Sequence, residues 1–250
     1  MSRLHGKTVT IIGATGSVGR DLVRLASDSG AKVTAVARTA AALQTLAADL
    51  PNITTIAADA TDERAPELVL APRSPDILVL SLGTRPPTGT IAEQRWDEFS
   101  RPWNVDVRAS LFFCQAALRG LLAPGSAVVL ISSGAGLGGS PVSGGYAGAK
   151  RMQMFLAEYA QEESDRLHLG IRFITIVPMG IMTETPLGKA AVGAYARYRG
   201  LTEAEYVERM SASPTPQQVA EASLALASEV PPRQGNVFGV SAAGIEEITS

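Results

Sequence analysis

Cysteine, histidine and any surplus of charge are scarce in this sequence, and each scarcity removes a class of function. The 250 residues hold a single cysteine, Cys114, so no disulfide framework can form within the chain. Its apolar neighbours Leu111, Phe112 and Phe113 predict a buried thiol rather than a nucleophile. The two histidines, His5 and His168, stand apart from every motif described below; they receive no role, and no metal site is expected. The formal net charge is −2, with no basic stripe and no polybasic run, which argues against a nucleic-acid partner and against a membrane surface. No uninterrupted apolar run approaches the roughly 20 residues that span a bilayer. Met1–Lys7 lacks the long apolar core of a signal peptide, so a cytoplasmic location is expected.

What is present is an ordinary core-forming balance, 46% hydrophobic and 18% charged residues. The length suits one α/β domain or two small ones, and the absence of a linker or short-period repeat favours one. Short β-branched apolar runs at Thr8–Ile12, Lys32–Ala37, Ile53–Ala57, Asp76–Ser81, Ala127–Ile131, Ile171–Val177 and Asn236–Val240 read as strands buried on both faces. Helical patterns fall between them, near Val18–Ser29, Ala40–Asp49, Asp106–Leu122, Tyr146–Glu163 and Pro216–Ser228. The Gly-rich stretch Ser132–Gly148 reads as a loop at a strand end. Met182–Ser213 breaks the alternation and is expected to form one or two helices outside the sheet, a candidate substrate lid.

The first strand runs into Gly13-Ala14-Thr15-Gly16-Ser17-Val18-Gly19 and then into a helix start. Glycines let a backbone turn sharply beside a pyrophosphate, and the new helix offers N–H groups and a positive dipole end to the charge. Gly13, Thr15, Gly16, Ser17, Val18 and Gly19 are therefore candidate dinucleotide contacts. The second strand ends at Ala37, where a carboxylate would suit the ribose of NAD, and Arg38 and Thr39 follow instead. A guanidinium suits a 2′-phosphate, so NADP(H) is favoured over NAD(H). Asp59, followed by Ala60 just past the third strand, is a candidate acceptor for the adenine amino group; a turn or helix-cap role competes with that reading. The expected fold is α/β: a single-domain, Rossmann-like, doubly wound parallel sheet of about seven strands with helices on both faces.

A reactive set lies in the second half. Ser133 falls at the carboxyl end of a strand, where open α/β sheets place ligands. Tyr146 and Lys150 are spaced i,i+4 on one helix face. A tyrosine hydroxyl can protonate a carbonyl oxygen while hydride reaches the carbon; its reference pKa of ~10 is high for that task, and a neighbouring ammonium favours the phenolate. A serine hydroxyl can hold the oxygen as charge develops there. Lys150 is in addition a candidate for the nicotinamide ribose hydroxyls.

With these residues in place, the chain resembles the short-chain dehydrogenase/reductase family over nearly its whole length. The Ser133, Tyr146 and Lys150 set matches the family's Ser…Tyr-x-x-x-Lys, and Ile131-Ser132-Ser133-Gly134-Ala135-Gly136 is similar to its strand end. Val177-Pro178-Met179-Gly180-Ile181-Met182-Thr183 resembles its Pro-Gly segment, which implies that Pro178, Ile181 and Thr183 lie at the nicotinamide. Gln115-Ala116-Ala117-Leu118 and Pro216-Gln217-Gln218-Val219-Ala220 match less specific family helices. Departures are visible. Gly16 sits one place early for the short-form loop, and Ser81-Leu82-Gly83 replaces an Asn-Ala-Gly cofactor segment. The family's relay asparagine aligns with Asp106, or alternatively with Asn104. The resemblance implies an oxidoreductase acting on a small-molecule carbonyl/alcohol pair, assembled as a homodimer or homotetramer through the helices Asp106–Leu122 and Tyr146–Glu163. Tyr195, Tyr198 and the apolar residues near Leu187 are candidates for the substrate pocket. Two other readings compete: a dinucleotide-binding sensor on the same fold, and an isomerase or dehydratase of nucleotide sugars.

Overall fold

The computed structural model describes residues 3–50 and 52–248. Eight strands form one sheet: β1 (Thr8–Ile12), β2 (Lys32–Ala37), β3 (Thr54–Ala57), β4 (Ile77–Leu80), β5 (Ala127–Ile131), β6 (Arg172–Pro178), β7 (Val237–Ser241) and β8 (Gly244–Glu247). Their order is β3-β2-β1-β4-β5-β6-β7-β8, parallel except for the antiparallel β7–β8 hairpin. The chain winds outward in one direction from β1 to β3 and in the other from β4 onward. The reversal between β1 and β4 opens a crevice at their carboxyl ends, the usual ligand position in such sheets.

Alternation along the strands builds two cores, because successive side chains leave a strand on opposite faces. Val9, Ile11, Val79, Val129 and Ile174 enter one, covered by α1 (Ser17–Asp28), α2 (Ala40–Asp49) and α10 (Pro216–Ala227). Ile12, Leu78, Leu80, Val128 and Phe173 enter the other, covered by α3 (Ala65–Leu70), α5 (Arg108–Ala116) and α7 (Gly144–Arg166). Each such buried side chain contributes about 1.5–3 kcal/mol of transfer free energy. This double-sided burial explains why the strands were visible in the sequence as continuous apolar runs.

The sheet expected to hold about seven strands has eight, the added one being β8. β8 escaped because Gly-Ile-Glu-Glu carries no apolar run and lies at the exposed sheet edge. The short helices α3, α4 (Trp96–Phe99) and α6 (Ala135–Gly138) also went unforeseen. α6 lies within the stretch Ser132–Gly148 that was expected to be a loop, and α7 begins at Gly144, two residues before the helix expected from Tyr146. The helix expected from Asp106 begins earlier, with a π-helical turn at Trp103–Val107 leading into α5, and a second π turn at Ala117–Leu121 closes it. Outside the sheet, as expected, lie α8 (Pro186–Arg199) and α9 (Glu203–Glu208). Among the described residues no helix is long and apolar enough to cross a membrane.

Candidate active site

The Gly13–Gly19 turn connects β1 to α1 at the crevice. Gly13 has φ +82°, a left-handed conformation, and a Cβ there would overlap the Ser81 carbonyl oxygen. A Cβ at Gly19 would overlap the Gly13 carbonyl oxygen, so both positions require glycine for the turn to close. Gly16 and Ser17 are exposed, and α1 starts with no side-chain cap. Its first-turn amides are thus left for an anion rather than for a capping hydroxyl. The turn fits a dinucleotide pyrophosphate on these grounds.

Around the turn, the other expected cofactor residues fall at strand ends. Arg38 and Thr39 are exposed just past β2, beside buried Ala37. Asp59 is exposed; its Oδ1 accepts from the Thr61 N–H at 2.9 Å and the Thr61 hydroxyl at 2.8 Å, bonds that hold its carboxyl below the usual range. Asp59 therefore serves the local turn, with Ala60 buried beneath it. Ser81 donates its N–H to Ile12 at 2.9 Å, which brings the Ser81-Leu82-Gly83 segment beside the glycine turn.

Tyr146 and Lys150 project from α7 toward the end of β5. Ser132 fastens the two elements, its hydroxyl donating to the Lys150 carbonyl at 2.7 Å. Lys150 is 2% exposed. Its ammonium lies 5.6 Å from the centre of the Tyr146 ring. It donates to the Leu82 carbonyl at 2.9 Å, to Gln153 Oε1 at 2.9 Å and to the Ile131 carbonyl at 3.2 Å. Three protons meet three oxygens. Asp106 Oδ2 stands 3.2 Å away as an ion-pair partner without hydrogen-bond geometry, which agrees with that oxygen having no hydrogen bond elsewhere. The other oxygen, Oδ1, accepts from the Thr84 N–H at 3.0 Å and the Thr84 hydroxyl at 2.8 Å. Gln153 continues inward, donating to the Ser110 hydroxyl at 2.8 Å. Of the two alignments considered for the relay position, Asp106 meets Lys150 and is fully buried, whereas Asn104 is exposed. Thr84, Gln153 and Ser110 were not foreseen. Gln153 left one trace, a polar residue between Met152 and Met154 on a helix whose neighbouring positions are apolar.

In front of Tyr146 lies a cavity of about 340 Å³. Ser133 and Tyr146 both open to it, as do Pro178, Ile181, Leu187 and Tyr195. Ser133 Oγ accepts a long bond of 3.3 Å from the Ala135 N–H, leaving its own proton free. Thr183 opens instead to a separate hollow, shared with Lys189, Val192 and Glu203. Tyr198 does not join the cavity as expected: it is 52% exposed and lines a shallow groove with Arg197 and Glu98. Tyr206 of α9 takes the place foreseen for it, stacked on Tyr195 with ring centres 5.8 Å apart and planes within 7°. Cys114 is buried as expected, and burial pushes its thiol up to about 12.

Comparison with known proteins agrees with this fold. The sequence profile of a family described as short chain dehydrogenase matches residues 7–191. L-xylulose reductase from Homo sapiens is 33% identical over 132 residues, covering 52% of this chain and 54% of that protein. The chain thus spans about half the length of the L-xylulose reductases it matches. 2-Keto-3-deoxy-L-fuconate dehydrogenase from Xanthomonas campestris is 28% identical over 234 residues, covering 91% of this chain and 76% of that one. A short-chain dehydrogenase/reductase from Brucella melitensis, described as a glucose/ribitol dehydrogenase, superposes with a TM-score of 0.80 at 24% identity. That match covers 96% of this chain and 97% of the other, a likeness of fold.

Proposed function

The chain belongs to the short-chain dehydrogenase/reductase family, and from that premise we propose that it is an NADP(H)-dependent oxidoreductase acting on the carbonyl/alcohol carbon of a small molecule. One observation carries the reading. A buried, fully partnered lysine stands behind a tyrosine whose hydroxyl shares one cavity with a strand-end serine that keeps a free proton. Bound at the glycine turn, a nicotinamide dinucleotide supplies hydride for reduction and takes it up in oxidation. In reduction Ser133 donates a hydrogen bond to the substrate oxygen and steadies the charge that develops there. Tyr146 gives its hydroxyl proton to that oxygen, and the carbonyl becomes an alcohol; in oxidation the same groups work in reverse.

Lys150 holds its ammonium 5.6 Å from the centre of the Tyr146 ring, where it can offset negative charge that develops on the tyrosine oxygen during proton transfer. Its ammonium is saturated by protein oxygens. A contact to the ribose hydroxyls therefore requires it to exchange one partner, and the 3.2 Å bond to Ile131 is the longest of the three. Asp106, sealed from solvent and fixed by Thr84, acts as a positioning residue and counter-charge for Lys150 rather than as a station for moving protons. Gly13, Thr15, Gly16, Ser17, Val18 and Gly19 hold the pyrophosphate, with Ser81, Leu82, Gly83, Pro178 and Ile181 toward the nicotinamide, while Thr183, which faces the other hollow, does not join them. Arg38 and Thr39 take the 2′-phosphate, and Asp59 and Ala60 border the adenine.

The test is a turnover screen of NADPH against NADH over a carbonyl panel, with Tyr146→Phe as control. Full activity in that variant would overturn the mechanism. Arg38→Ala should raise KM for NADPH roughly tenfold, the value of one charge-assisted contact, and leave NADH nearly unchanged. For assembly we infer a homodimer or homotetramer through α5 and α7. Leu111 and Tyr159 on these helices are 37% and 54% exposed, and Phe155 stacks on Tyr159 at 5.9 Å. Light scattering that returned a monomer would exclude this.

A further inference from the structure

We propose that the cavity in front of Tyr146 selects a neutral ketone or secondary alcohol whose body, beyond the reacting carbon, is apolar. The proposal rests on the hydride-transfer reading above and narrows its substrate. Two observations carry it.

The first is charge. Among the described residues, none lining the cavity is Asp, Glu, Lys, Arg or His. Its walls are built instead from small and aliphatic side chains, among them Val142, Met182, Leu187, Ala190 and Ala191. A carboxylate or phosphate on the substrate would give up part of its hydration on entering and would meet no counter-charge from the walls.

The second is that four of the eight hydroxyl-bearing residues on the walls, Ser132, Ser143, Thr185 and Tyr195, are already bonded within the protein. Tyr195 Oη donates to Ser140 Oγ at 2.7 Å, and Ser140 and Ser143 share a bond of 2.7 Å. Thr185 Oγ1 donates to the Met182 carbonyl at 2.9 Å and accepts from the Gly188 N–H at 2.9 Å as the cap of α8. Ser132 is turned to the Lys150 carbonyl. The free polar groups that remain are the reacting pair, Ser133 and Tyr146, together with Thr88 at the exposed mouth and the hydroxyl of Tyr206. A polyhydroxylated substrate needs several convergent partners. Each hydroxyl buried here without one weakens binding by roughly tenfold. A substrate with one oxygen and a hydrocarbon body meets no such penalty, because its oxygen goes to Ser133 and Tyr146 and its body to the aliphatic walls.

Calorimetry on the full chain loaded with NADP+, using 2-decalone and L-xylulose as probes, tests this together with NADPH-driven reduction of both. The expected result is tighter binding of 2-decalone and a kcat/KM at least about tenfold above that of L-xylulose. Leu187→Asp, at a half-buried wall position, should weaken 2-decalone binding by about tenfold or more while NADP+ still binds. Equal or better binding or turnover of L-xylulose, or failure of both probes to bind, would overturn the proposal. Preferential binding of 2-decalone without reduction would leave the substrate class standing and remove the hydride-transfer reading beneath it.

Discussion

The two sides of Tyr146 are built on opposite principles. Behind it, Lys150, Asp106, Gln153 and Ser110 are all buried, and the ammonium meets an oxygen for every proton. In front of it no described residue lining the cavity is charged, and half of the lining hydroxyls are bonded within the protein. The contrast follows from the cost of dry polar groups. A buried charge persists only with a partner and satisfied hydrogen bonds, so the ionic groups gather where protein oxygens surround them. The boundary between the two zones leaves two hydroxyl protons unassigned, those of Ser133 and Tyr146, and a reacting oxygen can meet both.

The contrast can be broken from either side. Tyr146→Phe removes the proton donor at the boundary and should lower kcat by about 10²–10⁴-fold, with cofactor binding retained in a fluorescence titration. Asp106→Leu strips the ammonium of its counter-charge and should cost about 3–5 kcal/mol in denaturant unfolding, whereas Asp106→Asn, which keeps the acceptor for Thr84, should cost clearly less. If Asp106→Leu were neutral, the polar cluster would not be the rigid side of the pair. Gln153→Met removes one acceptor from Lys150 and the donor to Ser110; a loss of about 1–3 kcal/mol in the same assay is expected. On the other side, Tyr195→Phe breaks only the bond to Ser140, so KM should rise a few-fold with kcat unchanged and stability falling by about 1 kcal/mol at most. The smallest effect concerns pH. Burial, reinforced by neighbouring Tyr195, raises the Tyr206 phenol above its ordinary value, so the group is neutral at the pH of an ordinary assay. KM for a neutral ketone should therefore stay flat from about pH 7 to 9, and an earlier alkaline rise would show charge entering the cavity.

Much of the architecture could be read in advance, for a physical reason. Strands covered on both faces must be apolar at consecutive positions, so β1, β2 and β5 appeared with the bounds they have in the structure. The glycine turn was equally legible, since Gly13 and Gly19 stand where any Cβ would strike a carbonyl oxygen. β8 and the short helices α3 and α4 were not, because elements of four to six residues are too short to set a period. At the site, spacing alone paired Tyr146 with Lys150, and the family resemblance named Asp106 without deciding between it and Asn104. The choice between Tyr198 and Tyr206 was beyond spacing. Tyr195 and Tyr198 lie three residues apart on α8, yet the cavity edge falls between them, and the second ring comes from α9.

By itself, then, the sequence determined what rests on local or periodic rules: the α/β class, the position of the turn built for a dinucleotide, and the helical pairing of a tyrosine with a lysine. Only the tertiary structure decided which oxygens surround the Lys150 ammonium and which hydroxyls in front of Tyr146 remain free. These depend on carbonyls and side chains from β4, β5, α5, α7 and α8 meeting across 19 to 68 positions of chain. No period along the sequence encodes such meetings. They arise when the two cores close on the sheet and every polar group trapped inside must find a partner.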